Sequence, residues 1–318
     1  MPANHKPIVV VGSINTDLVA GAAQFPTAGE TVLGSSFDIH PGGKGANQAV
    51  AVSRLGYPVQ LIGKVGADVF GEQSRSYLQS AGVDVSGVEV GSGTSGVAII
   101  AVSPAGDNSI IVVPGANAQV SADFIDAHLE TIRGAGIVLT QLEIPIESVQ
   151  HLAELCWREG IPLMLDPAPA QNLPASVLPL LQWFTPNETE AAFFAPQAMN
   201  GGDSPEPAQI AETLLAAGIR GVVLKMGSRG SYLASANGLA QLIPSYQVTA
   251  VDTTAAGDAF NGAFATALML DMQAETAAQF ASAAAAISVT RRGAQPSMPG
   301  RDEVKRLLQN KTFQRKEP

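Results

Sequence analysis

The apolar positions of this chain come in two rhythms. Runs such as "PIVVVGS" (residues 7–13), "VQLIGKVG" (59–66) and "GIVLTQL" (136–142) are continuously apolar and rich in β-branched residues, which predicts strands buried on both faces. Shorter runs at 162–166, 183–187 and 221–227 predict further strands. Between them lie stretches of helical spacing: 44–56 stopping at Gly56, 69–82 stopping at Gly82, 121–133 capped by Ser121, and 146–160 stopping at Gly160. Helices are also predicted over about 257–271, 273–290 and 301–311. Strands alternating with helices in this way predict the α/β class. The expected fold is a doubly wound, mostly parallel sheet with helices on both faces and ligands at the carboxyl ends of the strands.

Two stretches break the alternation. Residues 85–115 hold "VSGVEVG", "SGVAIIAVS" and "NSIIVVPG" with no helix between them, and "PAGD" (104–107) supplies a turn between the last two. Residues 16–40 also lack helical spacing. We expect one domain over residues 1–318, carrying a small β-sheet built by insertions at about 16–40 and 92–115. Such a sheet serves as a lid or a dimer contact, unless it is merely an extra sheet edge.

With 46% apolar and only 14% charged residues, 318 residues can bury a large core. The net charge of −10 argues against nucleic acid or an anionic membrane as partner. One cysteine, Cys156, excludes an intrachain disulfide and favours a reducing compartment. The first apolar run is about five residues against the ~7–15 of a secretory signal, and the alanine-rich stretch at 277–289 falls short of the ~20 needed to span a bilayer. A cytoplasmic protein is expected.

Several familiar chemistries are missing. Neither Gly43-Lys44 nor Gly63-Lys64 is followed by Ser or Thr, so there is no Walker phosphate loop. Gly91, Gly93 and Gly96 match the dinucleotide pattern, but a strand-like run follows instead of a helix. The histidines at 5, 40, 128 and 151 are scattered, which suggests neither a metal cluster nor a histidine-based triad.

The residues that do suggest chemistry lie in "VDTTAAGDAF" (251–260). Small residues ahead of a helix allow close approach to the backbone, and the helix start offers unpaired N–H groups. Ala255, Ala256 and Gly257 can thus form an anion hole without a basic side chain, with Asp258 at its rim either as a helix cap or as the acceptor of a hydroxyl proton. "PGGKGANQA" (41–49) offers a second backbone cradle, in which Asn47 can reach a polyol. "GSINTD" (12–17) places Asn15 and Asp17 at a strand end, and Asp17 can accept bonds from two sugar hydroxyls. In "TPNETE" (185–190), Asn187 and Glu190 either cap a helix or, for Glu190, hold magnesium through water.

Together these motifs resemble the ribokinase-like (pfkB) carbohydrate kinases. The match runs from "VGSINTD" to "RRGAQPS", nearly full length. Its most specific parts are "DTTAAGDAFNGAF" and "GGKGANQAVAVSRLG". The resemblance implies transfer of the ATP γ-phosphoryl group to O5 of D-ribose, with 2-deoxyribose, another pentose or fructose as alternative substrates. A sugar-binding protein that lost catalysis is a remoter alternative. It implies Asp258 as general base and Ala255, Ala256 and Gly257 as the anion hole. Asn15, Asp17, Gly42, Gly43, Lys44, Asn47 and Glu143 are its sugar positions. The ATP positions are Asn187, Lys225, Gly227, Ser228, Gly230, Ser282, Ala256 and Gly257. It further implies Mg²⁺ with ATP, a monovalent cation, usually K⁺, at Asp252, Thr254, Ser288, Arg291, Gly293 and Ser297, and a homodimer joined through the lid sheet. Ala255 stands where the general family pattern has glycine, which narrows the backbone choices of the hole.

Overall fold

The computed structural model describes residues 6–104, 107–199 and 206–310. The tip of the turn expected at 104–107 and the last residue of the helix expected at 301–311 lie outside those residues. In chain order the elements are β1 (Ile8–Val11), β2 (Asn15–Ala22), β3 (Gly34–Gly42), α1 (Lys44–Arg54), β4 (Val59–Val65), α2 (Val69–Ser80), β5 (Asp84–Val90), β6 (Gly96–Val102) and β7 (Asn108–Val113). Then come α3 (Ala122–Ala127), α4 (Leu129–Gly134), β8 (Ile137–Gln141), α5 (Ile146–Glu159), β9 (Leu163–Asp166), β10 (Trp183–Phe184), α6 (Glu188–Phe194), α7 (Pro207–Ala216) and β11 (Gly221–Lys225). The last described elements are β12 (Ser231–Ser235), β13 (Ala240–Ile243), α8 (Ala256–Met269), α9 (Ala274–Ser288) and α10 (Arg301–Gln309).

Among the described residues, nine strands form the main sheet in the order β13-β12-β11-β10-β9-β8-β1-β4-β5. It is parallel from β5 to β11 and antiparallel at the β11–β12–β13 edge. β1 shows why the strands read as unbroken apolar runs. Ile8 and Val10 pack into one core, against α1, α8 and α9, while Val9 and Val11 pack into another, against α5 and its neighbours. From β1 the chain winds outward to β4 and β5, then returns to β8 and winds the other way. The strand order therefore reverses beside β1, the place where open α/β sheets bind ligands.

The second sheet has the order β3-β2-β6-β7. β3 and β7 run antiparallel to their neighbours, and β2 and β6 run parallel to each other. The stretch "VSGVEVG" precedes the insertion expected at 92–115 and does not join the second sheet. As β5 it pairs in parallel with β4, because the crossover helix α2 returns it to the main-sheet edge. The single helix expected at 121–133 breaks at His128, whose N–H bonds Ile125 O and whose ψ of 15° leaves the helical range. The strand expected at 183–187 stops at Phe184, since Pro186 has no N–H and Asn187 already caps α6. The β12–β13 hairpin, turned at Gly238, was not anticipated. Among the described residues no helix is long and apolar enough to cross a membrane.

Candidate active site

The carboxyl ends of β1, β8, β9 and β11 converge with the amino ends of α1 and α8. Gly43 makes the first junction possible. Its φ of 87° lies in the left-handed region, and a Cβ there would sit 2.6 Å from Asn15 N and 2.9 Å from Ile14 Cα. β3 can therefore turn directly into α1 against the end of β1. Ser13 Oγ donates to Glu143 Oε2 (2.5 Å), which also accepts from Lys44 N (3.1 Å). Asn117, unmarked in the sequence, holds Asn15 through a 2.7 Å bond to its Oδ1.

Asp258 lies in the first turn of α8, 5% exposed. Its Oδ2 accepts from Asn47 Nδ2 (2.9 Å) and its Oδ1 from Gln48 Nε2 (3.1 Å), both on α1. Gln295 steadies Asn47 from the far side (3.0 Å). The carboxylate is thus not the helix cap. The N-cap is Ala255, which makes no side-chain bond and has a φ of 58°, a conformation costing an L residue about 1–2 kcal/mol. Ala256 N–H donates to Thr253 O (3.2 Å), and Ala256 and Gly257 line the mouth of a cavity. Burial pushes the Asp258 carboxyl up to about 6, with Asp166 adding to the rise while Lys44 and the two amide bonds oppose it.

Asp17 lies on β2 with its carboxylate in the space a side chain at Gly42 would occupy. It is raised to about 6, first by burial and then by Glu143 and Asp258, against Lys44. Burial penalises the Lys44 ammonium, but Asp258, Glu143, Asp166 and Glu190 together raise its pKa. Five carboxylates (Asp17, Glu143, Asp166, Glu190 and Asp258) therefore face the ammoniums of Lys44 and Lys225. That excess negative charge favours a cationic ligand.

Beside this cluster lies a cavity of ≈ 320 Å³, lined by Lys225, Gly227, Ser228, Gly230, Ala256, Gly257 and Ser282 with an apolar wall that includes Val248, Phe260 and Val289. All of these but Asn187 among the expected ATP positions line it; Asn187 instead caps α6, in a reciprocal capping box with Glu190. Both Glu190 oxygens accept from Asn187, at 2.8 Å each. Burial raises Glu190's pKa, with Lys225 opposing.

The residues expected to hold a monovalent cation adjoin the α8 start. Asp252 accepts from Thr254 N (2.9 Å) and Gly293 N (2.8 Å), and those bonds pull its pKa down despite partial burial. Ser288 and Ser297 donate to backbone carbonyls at positions 285 and 294, and the Arg291 side chain turns to Glu303 of α10. Among the described residues there is no cluster of three or more His, Cys, Asp or Glu fit to hold a metal.

Sequence reasoning missed Gln48, Asp166, Asn117, Gln295 and Gln141, whose Nε2 donates to Gln48 Oε1 (2.7 Å). Asp166 ends a predicted strand, where ligands are expected, and was legible on that ground. The others reveal themselves only through bonds to distant parts of the chain.

Residues 5–301 match the sequence pattern of the pfkB family carbohydrate kinases. The chain is 42% identical to the ribokinase of Bacillus subtilis, with 95% of this chain and 99% of that protein covered. It is 36% identical to the deoxyribokinase of Salmonella typhi, with 95% and 98% covered. The structure is similar to that of Arabidopsis thaliana ribokinase complexed with ribose and ATP, with a TM-score of 0.86, 34% identity, and 96% and 100% of the chains covered.

Proposed function

The chain belongs to the pfkB family of carbohydrate kinases, and on that basis we propose that it transfers the γ-phosphoryl group of ATP to the O5 hydroxyl of D-ribose. The observation that carries the mechanism is Asp258, a buried carboxylate held by Asn47 and Gln48 at the amino end of α8. A neutral hydroxyl is a poor nucleophile. Asp258 accepts its proton as the bond to phosphorus forms, while the N–H groups of Ala256 and Gly257 stabilise charge on the phosphoryl oxygens. Asn15, Asp17, Gly42, Gly43, Lys44, Asn47 and Glu143 hold the sugar. Asn187, Ser282 and the 225–230 loop hold the nucleotide.

The uncompensated carboxylates fit a divalent cation arriving with ATP. Mg²⁺ would be held at Glu190 through water, and when bound it neutralises phosphate charge. K⁺ would be held by Asp252 and the 288–297 loop, close enough to the α8 start to order it. The second sheet closes over the sugar and joins two copies, and the protein works in the cytoplasm. 2-Deoxyribose is the second reading, favoured by the likeness to a deoxyribokinase, since one carboxylate at Asp17 accommodates more than one hydroxyl pattern.

An ADP-release screen over ribose, 2-deoxyribose, other pentoses and fructose, each in potassium and in sodium, tests this. Ribose should give the highest kcat/KM, raised by potassium. Faster turnover of deoxyribose would replace ribose as substrate, and the absence of any sugar-dependent ADP release would overturn the kinase reading.

A further inference from the structure

One buried ion pair ties the proposed nucleotide loop to Asp166, which has no part in the mechanism above. Lys225 Nζ lies 3.0 Å from Asp166 Oδ1, with the two side chains 13% and 4% exposed. In every other ion pair among the described residues, at least one partner is more than a third exposed. Burying two charges usually costs more than their attraction returns, so such a pair is weak as a stabilising device. Its placement suggests another use. Lys225 ends β11 and lines the nucleotide cavity together with Ala256 and Gly257. A Cβ on Gly257 would meet the Lys225 ammonium at 3.3 Å, so the ammonium stands against the first turn of α8. Asp166 is itself fixed, since its other oxygen accepts from Gln48 Nε2 (3.0 Å), the same amide nitrogen that donates to Asp258. One glutamine thus sets the spacing between the carboxylate that anchors the ammonium and the carboxylate that takes the proton. Lys225 has three N–H groups, and one points to Asp166.

We propose that Lys225 is a catalytic residue that grips the terminal phosphoryl group of ATP at the mouth of the α8 N–H nest, and that Asp166 is the positioning residue that holds it there. This rests on the reading of the cavity as an ATP site. The ammonium adds a full positive charge where the backbone donors supply only partial ones, on the side of the phosphoryl group facing the nucleotide. No bond is made or broken at Lys225. Its contact strengthens as charge moves onto the phosphoryl oxygens.

The test compares Lys225→Met, Asp166→Asn and the double variant Lys225→Met/Asp166→Asn, for turnover, thermal stability, and binding of MgATP and MgADP measured by calorimetry without sugar. Removing one such donor should cut kcat ~10²–10³-fold, leaving the KM for ribose within about twofold. Lys225→Met should weaken MgATP binding by about tenfold and MgADP binding hardly at all, because only ATP carries the contacted group. Asp166→Asn strands a buried ammonium and is expected to lose stability. The double variant removes both charges and should regain wild-type stability while staying as slow as Lys225→Met. A double variant that recovers both stability and turnover would show that the pair only supports the fold. Equal weakening of MgATP and MgADP would place the ammonium away from the terminal phosphoryl group. Wild-type protein lacking sugar-dependent ADP release would refute the proposed function alone, and the ATP-against-ADP comparison would still decide the role of Lys225.

Discussion

At the scale of single residues, the site trades stability for chemistry. Asp17 and Asp258 both take up protons more readily in the folded chain than in the unfolded one, at about 6 against an ordinary 3.8. The cost of burying their charge is therefore absent below about pH 4 and complete above about pH 6. Asp258→Asn removes that cost for one of them. Urea titrations at pH 4 and pH 8 should show wild type losing on the order of 2 kcal/mol more than the variant across that span. An identical change in both proteins would mean that the carboxyl keeps an ordinary pKa. The same variant should bind ribose yet turn over ~10²–10⁴-fold more slowly. The base must be deprotonated to act, so wild-type kcat/KM should fall tenfold per unit as pH drops below about 6. Activity that persists unchanged to pH 5 would mean that some other group takes the proton.

At the scale of elements, the site is a helix crossing. α1 supplies Asn47 and Gln48, α8 supplies Asp258, and the two helices meet at Gly262, where a Cβ would stand 2.6 Å from Ala51 Cβ and 2.9 Å from Gln48 O. Gly262→Ala must push the helices apart, at about 1–3 kcal/mol. A shift approaching 1 Å in the carboxylate costs about 10²-fold in rate. Gly134→Ala in α4 is the control, because open space surrounds its position and alanine favours the helix. Turnover by Gly262→Ala at the wild-type rate would mean that the crossing does not set the carboxylate. Such crossings also mark what sequence can and cannot reveal. The continuous apolar strands and the "GGKGANQA" and "DTTAAGD" glycines are local signals, and they gave the sheet, the helices and the residues around Asp258. That Gln48 reaches both Asp166 and Asp258 is a contact across more than a hundred residues in each case, with no local trace. The pairing of β5 was not legible for a related reason: a strand's own residues do not say which neighbour it pairs with, and only the crossover through α2 decides.

At the scale of the whole molecule, the second sheet has two different faces, and its register says which is which. Directly opposed residues share a face. His40, Asp17, Ala98 and Val112 form one rank, on the face that carries the proposed sugar contact Asp17. Ile39, Leu18, Ile99 and Ile111 form the next rank on the opposite face, with Phe37 two residues along β3 from Ile39. Phe37, Ile39, Ile99 and Ile111 are 62%, 50%, 48% and 62% exposed, a concentration of apolar surface that a lone copy leaves in water. A second copy of the same face would cover it with matching chemistry, as expected of a twofold contact. Ile111→Glu places a charge in the middle of that contact and touches nothing on the sugar side. In sedimentation equilibrium the wild type should be a dimer and the variant a monomer. Because β2 and β3 carry Asp17 and lead into Gly43, the separated chain should hold ribose less firmly, raising KM more than it lowers kcat. A wild-type chain that stays monomeric at every concentration tested would leave this apolar face without a partner of its own kind and remove the dimer from the account of sugar binding.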